Sequence, residues 1–501
     1  MLRNIGSNWL LLLATIAATY VLTPFIINTF GEEGYGTWTL ITAMTGYISL
    51  MALGVPAACV RYLSQHVAEH DVAEMRRTIG SCVGLYLVIG VVALLIGGAL
   101  MVLFDIYAIP QIFEREAHLA FGLMVFHVSA GFIGLLPEGI MFAHHDFVRR
   151  NLVRIAGVLL RLVLTIGLLT LSASLVLLAA VQIAILAFDF SVSWLLIRRR
   201  YPGVRISLAD FDLGMVRRIL SFSLYVLLLT AGARLSFETD ALVIGAFLGV
   251  GSIPFYVVAN SLIVYMMEFV IAIAAVVSPM ATKLNTEGRM DQLRAMFLTW
   301  SKVALSLTIM AGLFLIVLGP RFIGWWIDPS YEGPSGQVLQ VLMISSFVFL
   351  PVRGVAVPVL IGVGKPRVPA IASVAAGLLN LGLSVLLIGP LGLLGVALGT
   401  AIPNVLFAVI VLIVACRELE MTPGRYLHYV APRAVVGAVP ALALLLWFKL
   451  SLDVQSFAGL AAAGSAMVLV FGVTCVVFIY RRDQYVDLSS RLVRFRAWSR
   501  A

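Results

Sequence analysis

The chain has 501 residues, of which 61% are hydrophobic and only 12% charged, with a mean hydropathy of +1.04. Soluble domains carry about 25% charged residues, so this composition excludes a soluble enzyme or a nucleic-acid-binding module despite a formal charge of +9. The four cysteines (Cys59, Cys82, Cys416, Cys475) form no CxxC and have no His at metal spacing, and they read as small apolar core residues.

Apolar runs long enough to cross a bilayer recur along the whole length. In chain order they cover about 8–30, 36–60, 82–104, 119–143, 151–171, 174–197 and 219–248. A second series covers about 252–280, 297–319, 337–363, 367–389, 391–415, 429–448 and 456–480. The start, "MLRNIGSNWLLLLATIAATYVLTPFII", superficially resembles a signal peptide. Its apolar run is longer than a signal h-region and contains Pro24, so it is read as a retained first span. "AEHDVAEMRRTIGS" and "LADFDLGMVRRIL" read as amphipathic segments at the membrane interface.

Orientation follows from lysine and arginine. With the N-terminus cytoplasmic, every basic residue falls inside except Arg115, Arg321 and Lys449 in outer loops and Arg161, Arg234 and Arg353 within spans. Both termini are then cytoplasmic. The loops are too short for a catalytic domain, so a non-enzymatic function within the helical bundle is expected.

The two halves echo each other in order. "FGEEGYGTW" (30–38) pairs with "FLGVGSIPFY" (247–256), and "DVAEMRR" (71–77) with "GRMDQLR" (288–294). "LLPEG" (135–139) pairs with "FLPVRG" (349–354), and "LLRLVLT" (159–165) with "LLNLGLS" (378–384). Six spans precede the second copy, an even number, so both copies share one topology. The reading is an all-α polytopic membrane protein with about fourteen transmembrane helices. Two pseudo-symmetric six-helix bundles, 1–200 and 201–418, are followed by two helices and a basic tail, 419–501. Parallel repeats of this kind recur in transporters.

Charges at depth single out candidate functional residues. "TAGARLSFETDALVIGAF" holds Arg234, Glu238 and Asp240 within an apolar run, although a charge at the bilayer centre costs roughly 2.5–3.5 kcal/mol. Arg234 and Glu238 are four apart and share a helix face; Asp240 lies off it. Arg161, Arg234 and Arg353 form a candidate cationic lumen for an anionic substrate, since guanidinium forks suit diphosphate or carboxylate groups. Glu138, Asp189, Glu238, Asp240 and Glu268 are candidates for charge balance or ion coupling. Structural ion pairs between helices are the alternative. Pro24, Pro137, Pro279, Pro351, Pro358 and Pro403 read as kinks or as hinges.

The run "FGEEGYGTWTLITAMTGYISLMALGVPAACVRYLSQHVAEHD" resembles the first-hairpin signature of the polysaccharide transporter family. These are the Wzx-type lipid-linked oligosaccharide flippases, in the same superfamily as the multidrug and toxin extrusion (MATE) exporters. The matching features are Gly31, Tyr35, Gly36, Trp38, Tyr47, Leu53-Gly54, Arg61-Tyr62 and Ser64. "TDALVIGAFLGVGSIPFY", with Asp240, Gly245 and Tyr256, and "GPLGLLGVALGTAIPN" resemble further family segments. The resemblance implies a MATE-like fold and translocation of undecaprenyl-diphosphate-linked oligosaccharide across a bacterial plasma membrane, by alternating access through a cationic cavity. It implies no cofactor beyond H+ or Na+ coupling. The partners it implies are that lipid, membrane lipids and a polysaccharide polymerase or other assembly proteins, with no nucleic acid. A peptidoglycan-precursor flippase and an ion-coupled MATE exporter are the rival readings.

Overall fold

The computed structural model describes residues 2–486 apart from 53, 222, 224–238, 272 and 453. Among the described residues all regular structure is helical. Twelve helical runs are long and apolar enough to cross a bilayer. The chain is a multi-pass membrane protein.

Helix α1, Leu2–Ser49, is broken at one residue. Gly31 has φ 68° and ψ −175°, a backbone conformation open essentially to glycine alone. The first two expected spans are therefore joined at a single residue. The chain continues through α2 (Val55–Ala68), α3 (Val72–Leu103), α4 (Gln111–Ala143), α5 (Phe147–Leu171) and α6 (Leu175–Arg200). The expected seventh span falls mostly outside the described residues; α7, Thr239–Leu248, is its end. The count of fourteen is for these reasons approximate.

Of the segment 68–81 expected at the membrane interface, residues 72–81 form the first turns of α3, continuous with the apolar run. The Asp71 carboxylate caps α3 by accepting from the Glu74 amide at 3.0 Å, and no proline separates this turn from the apolar run.

Beyond α7 come α8 (Ile253–Ile271), α9 (Ala274–Thr286), α10 (Met290–Val317), α11 (Gly319–Trp326) and α12 (Glu332–Pro351). A π-helical turn, Val352–Ala356, joins α12 to α13 (Val357–Gly362). Then follow α14 (Arg367–Leu391), α15 (Leu393–Glu418), α16 (Pro423–Ser451) and α17 (Phe457–Thr474).

The helices form two compact units, one of described residues up to 254 and one from 255 onward. In the first, α4 packs on α3 and α6, and α1 on α5; in the second, α14 pairs with α15, and α10 with α12 and α16. Large aliphatic side chains such as Leu95, Leu171, Leu386 and Leu469 face outward, whereas Ala93, Ala117, Ser301 and Thr308 are buried. That inversion suits lipid: small and hydroxyl residues let helix backbones approach, and apolar chains meet acyl tails. At Gly36 the approach is closest, because a Cβ there would lie 1.9 Å from the Val250 carbonyl oxygen. The signature glycine of the first hairpin thus packs against the backbone that follows α7.

Candidate functional site

In the first unit, α4, α5 and α6 bring a charged cluster together. Arg150 and Arg154 are one turn apart on α5 and reach Glu138 of α4 at 3.5 and 3.7 Å. Asp189 of α6 lies against Gly157, where an added Cβ would come within 2.6 Å of Asp189 Oδ1. Glycine at 157 is what lets the carboxylate reach the α5 backbone. The charges of Glu138 and Arg154 both act on Asp189, and its buried Oδ1 has no hydrogen-bond partner among the described residues. Gly157 is ten residues into α5, about 15 Å at 1.5 Å per residue. Asp189 thus sits near half the depth of a ~30 Å hydrocarbon core. A buried carboxylate oxygen beside a second carboxylate, with two arginines nearby, can exchange a proton or accept a small cation.

Arg161, two turns beyond Arg154, is exposed on the α5 surface of this unit. Its charge reaches His127 of α4, which hydrogen-bonds to the backbone of Gln182 on α6. Asp240 is 2% exposed in α7. Its neighbour Thr239 hydrogen-bonds Tyr47 of α1, joining two of the signature segments. Arg234 and Glu238 lie outside the described residues.

In the second unit, Arg353 sits on the π-helical turn that Pro351 and Pro358 bracket. Proline removes backbone donors and crowds the preceding turn, and π turns accommodate such breaks, often at functional sites. This turn belongs to the run Pro329–Gly362, the most buried of the twelve spans. Its Gly354 packs on Val270 of α8, and the Glu268 carboxylate acts on the Arg353 guanidinium. Asn380, the repeat counterpart of Arg161, is instead buried, donating to Thr400 Oγ1 at 2.8 Å, and Thr400 meets Tyr256 Oη at 3.1 Å. That chain is a packing feature of the unit.

The structure therefore brings Glu138 and Asp189 together in one unit and Arg353 and Glu268 in the other. Arg150 and Arg154 are missed by the sequence reading, which counts them as loop charges. Their i,i+4 spacing at the head of a span was the available signal. Among the described residues no three His, Cys, Asp or Glu side chains assemble into a metal site.

Comparison with known proteins places this architecture. The family model described as polysaccharide biosynthesis protein matches residues 1–285. The chain belongs to that family. Among curated relatives of this family member, the uncharacterized membrane protein EpsK of Bacillus subtilis is 21% identical over 96% of each chain. Among solved structures, the lipid II flippase MurJ in an inward closed conformation aligns with TM-score 0.74 at 12% identity, covering 96% of this chain and 99% of its own. An inward-facing MATE-family multidrug transporter of the MOP superfamily aligns with TM-score 0.68 at 18% identity, over 82% of this chain and 98% of its own. At such identities the structural likeness is one of fold, and that fold is the one shared by MATE transporters and MurJ.

Proposed function

We propose that this family member is a flippase that moves a lipid-linked oligosaccharide, carried on undecaprenyl diphosphate, across a bacterial plasma membrane for surface-polysaccharide synthesis. It acts without chemical conversion of its cargo, and both termini are cytoplasmic. The observation that carries the reading is the polysaccharide-biosynthesis family match joined to a fold that aligns along nearly its full length with a flippase of a lipid-linked precursor. The MATE transporter covers a smaller share of the chain, which favours the flippase branch over drug export.

In this reading Arg161, Arg234 and Arg353 are the candidate guanidinium donors to the anionic cargo. Glu138 and Asp189 carry the coupling proton or cation, and Asp240, Glu238 and Glu268 balance charge. A polymerase or other assembly protein receives the flipped cargo.

Cells depleted of the protein, analysed by mass spectrometry of lipid extracts, test it. Accumulation of a complete undecaprenyl-diphosphate-linked repeat unit, reversed by wild type but not by Arg353→Ala, is the expected result. Unchanged lipid-linked pools together with altered tolerance to cationic drugs would move the chain to the exporter branch. Accumulation of the peptidoglycan precursor instead would identify a different cargo for the same machine.

A further inference from the structure

We infer that the first halves of α10 and α16 and the segment that follows α17 form a phosphate-binding site, separate from the charged clusters above and independent of the proposed cargo. Beyond α17 and its π turn, Cys475–Ile479, the described chain runs on from Tyr480 to Val486 across α10 and α16. A cavity of about 310 Å³ lies there, lined by Lys302, Arg425, His428, Arg433 and Arg482 among others.

The strap is held by a clasp. Lys302 Nζ donates to Asp483 Oδ2 at 2.6 Å, and both side chains are 1% exposed. Tyr429 Oη donates to Asp483 Oδ1 at 2.5 Å, and the amides of Tyr485 and Val486 donate to the same oxygen at 3.0 and 3.3 Å. The Lys302 ammonium also lies 4.7 Å from the Tyr429 ring centroid and 5.3 Å from that of Tyr480. Clasp charges cancel, so Lys302 and Asp483 fix the geometry without adding net charge.

What remains around the cavity is cationic. Arg425, Tyr429 and Arg433 recur every fourth residue and share one face of α16. Arg425 donates to Tyr485 Oη at 3.4 Å and Arg433 to the Arg481 carbonyl at 3.2 Å. These contacts go to neutral acceptors and leave each guanidinium with further donors. Among the described residues none of Arg425, Arg433 or Arg482 has a carboxylate partner. Arg482 takes a φ of 50°, in the left-handed region that a non-glycine residue enters at a cost. The same conformation recurs just past other helix ends, at His70, His145 and Glu420, so it marks the exit of the chain from the helix and places the Arg482 side chain at the lip of the cavity. Three guanidinium forks around one concave space match the oxygens of a phosphate group. That group belongs either to an anionic phospholipid headgroup at the membrane face or to a free phosphate ion.

Native mass spectrometry of the purified full chain separates these sources. It would be titrated with dioctanoyl phosphatidylglycerol, dioctanoyl phosphatidylcholine and inorganic phosphate. A basic residue near an anionic headgroup matters enough that phosphatidylglycerol is expected to outbind phosphatidylcholine by about tenfold or more. Arg425→Gln/Arg433→Gln is expected to erase that preference and Arg482→Gln, on the exposed strap, to weaken it. Arg198→Gln/Arg199→Gln, an equal loss of exposed charge on α6, should leave it intact. Displacement of the glycerolipid by inorganic phosphate would show that the phosphate group alone suffices; retention against phosphate would assign the site to lipid. Arginine-dependent phosphate binding without lipid preference would assign it to the free ion. The inference is overturned if neither ligand binds in a manner that depends on Arg425, Arg433 and Arg482.

Discussion

At the scale of single residues, three side chains carry most of the physical content. Lys302 and Asp483 are the most completely buried ion pair among the described residues. Removing one partner leaves the other charge without its counter-ion at the edge of the cavity, which costs stability. Asp483→Asn is therefore expected to lower the thermal unfolding midpoint in detergent sharply, whereas Lys302→Met paired with Asp483→Leu should recover most of the loss. An additive double variant would show that the pair is not the source of the effect. Burial by itself would raise the Asp483 carboxyl, but the hydrogen bonds from Lys302, Tyr429 and the Tyr485 amide, with the lysine charge, hold it below its ordinary 3.8. A depressed carboxyl stabilises the folded state above its unfolded value and loses that contribution as pH falls through its folded value. The clasp should be undiminished from pH 8 to about 5 and weaken only as pH falls below the carboxyl's ordinary 3.8, visible as a midpoint shift absent from Asp483→Asn. Asp189 makes a different prediction. If it carries the coupling proton, Asp189→Asn should insert normally yet transport with no dependence on an imposed pH gradient, and a preserved dependence would remove it from the coupling route.

At the scale of elements, breaks in the helices matter more than the helices. Gly31 kinks α1 in a conformation open essentially to glycine alone, and Gly31→Ala should cost about 1–3 kcal/mol, read as reduced yield and a lower unfolding midpoint. A neutral Gly31→Ala would mean that the two halves of α1 can turn elsewhere. The π turn between Pro351 and Pro358 is the second break. Arg353→Lys keeps the charge but loses the fork, so partial export with Lys and none with Ala would separate geometry from charge. These breaks were partly legible. The glycine and proline positions could be read from the sequence, and so could the depth of Arg353 and Glu268, because apolar flanks mark a charge as intramembrane. The i,i+4 spacing of Arg150 and Arg154 puts both on one face of a span, but their partner Glu138 on α4 was not legible, since a basic pair at a span's head looks like any positive-inside flank. The Lys302–Asp483 clasp was not legible either: its partners are 181 residues apart, and Asp483 sits in what reads as a solvated basic tail. The continuity of "AEHDVAEMRR" with the next span was not legible for a related reason, because an amphipathic first turn has the same pattern whether it stands alone or continues into a span.

At the scale of the whole molecule, hydropathy alone recovers an all-helical membrane protein, since a bilayer admits few ways to satisfy the backbone and helices satisfy it internally. Substrate identity is carried by a few polar side chains on that common frame, and two transporters of one fold can carry different cargo. The most direct measurement is translocation by the purified protein in proteoliposomes loaded with an undecaprenyl-diphosphate-linked oligosaccharide, followed by access of an added glycosidase to the sugar. Wild type should expose the oligosaccharide of the protected leaflet with time, and Arg353→Ala should leave it protected. Equal exposure in protein-free, variant and wild-type vesicles would contradict a flippase role for this chain.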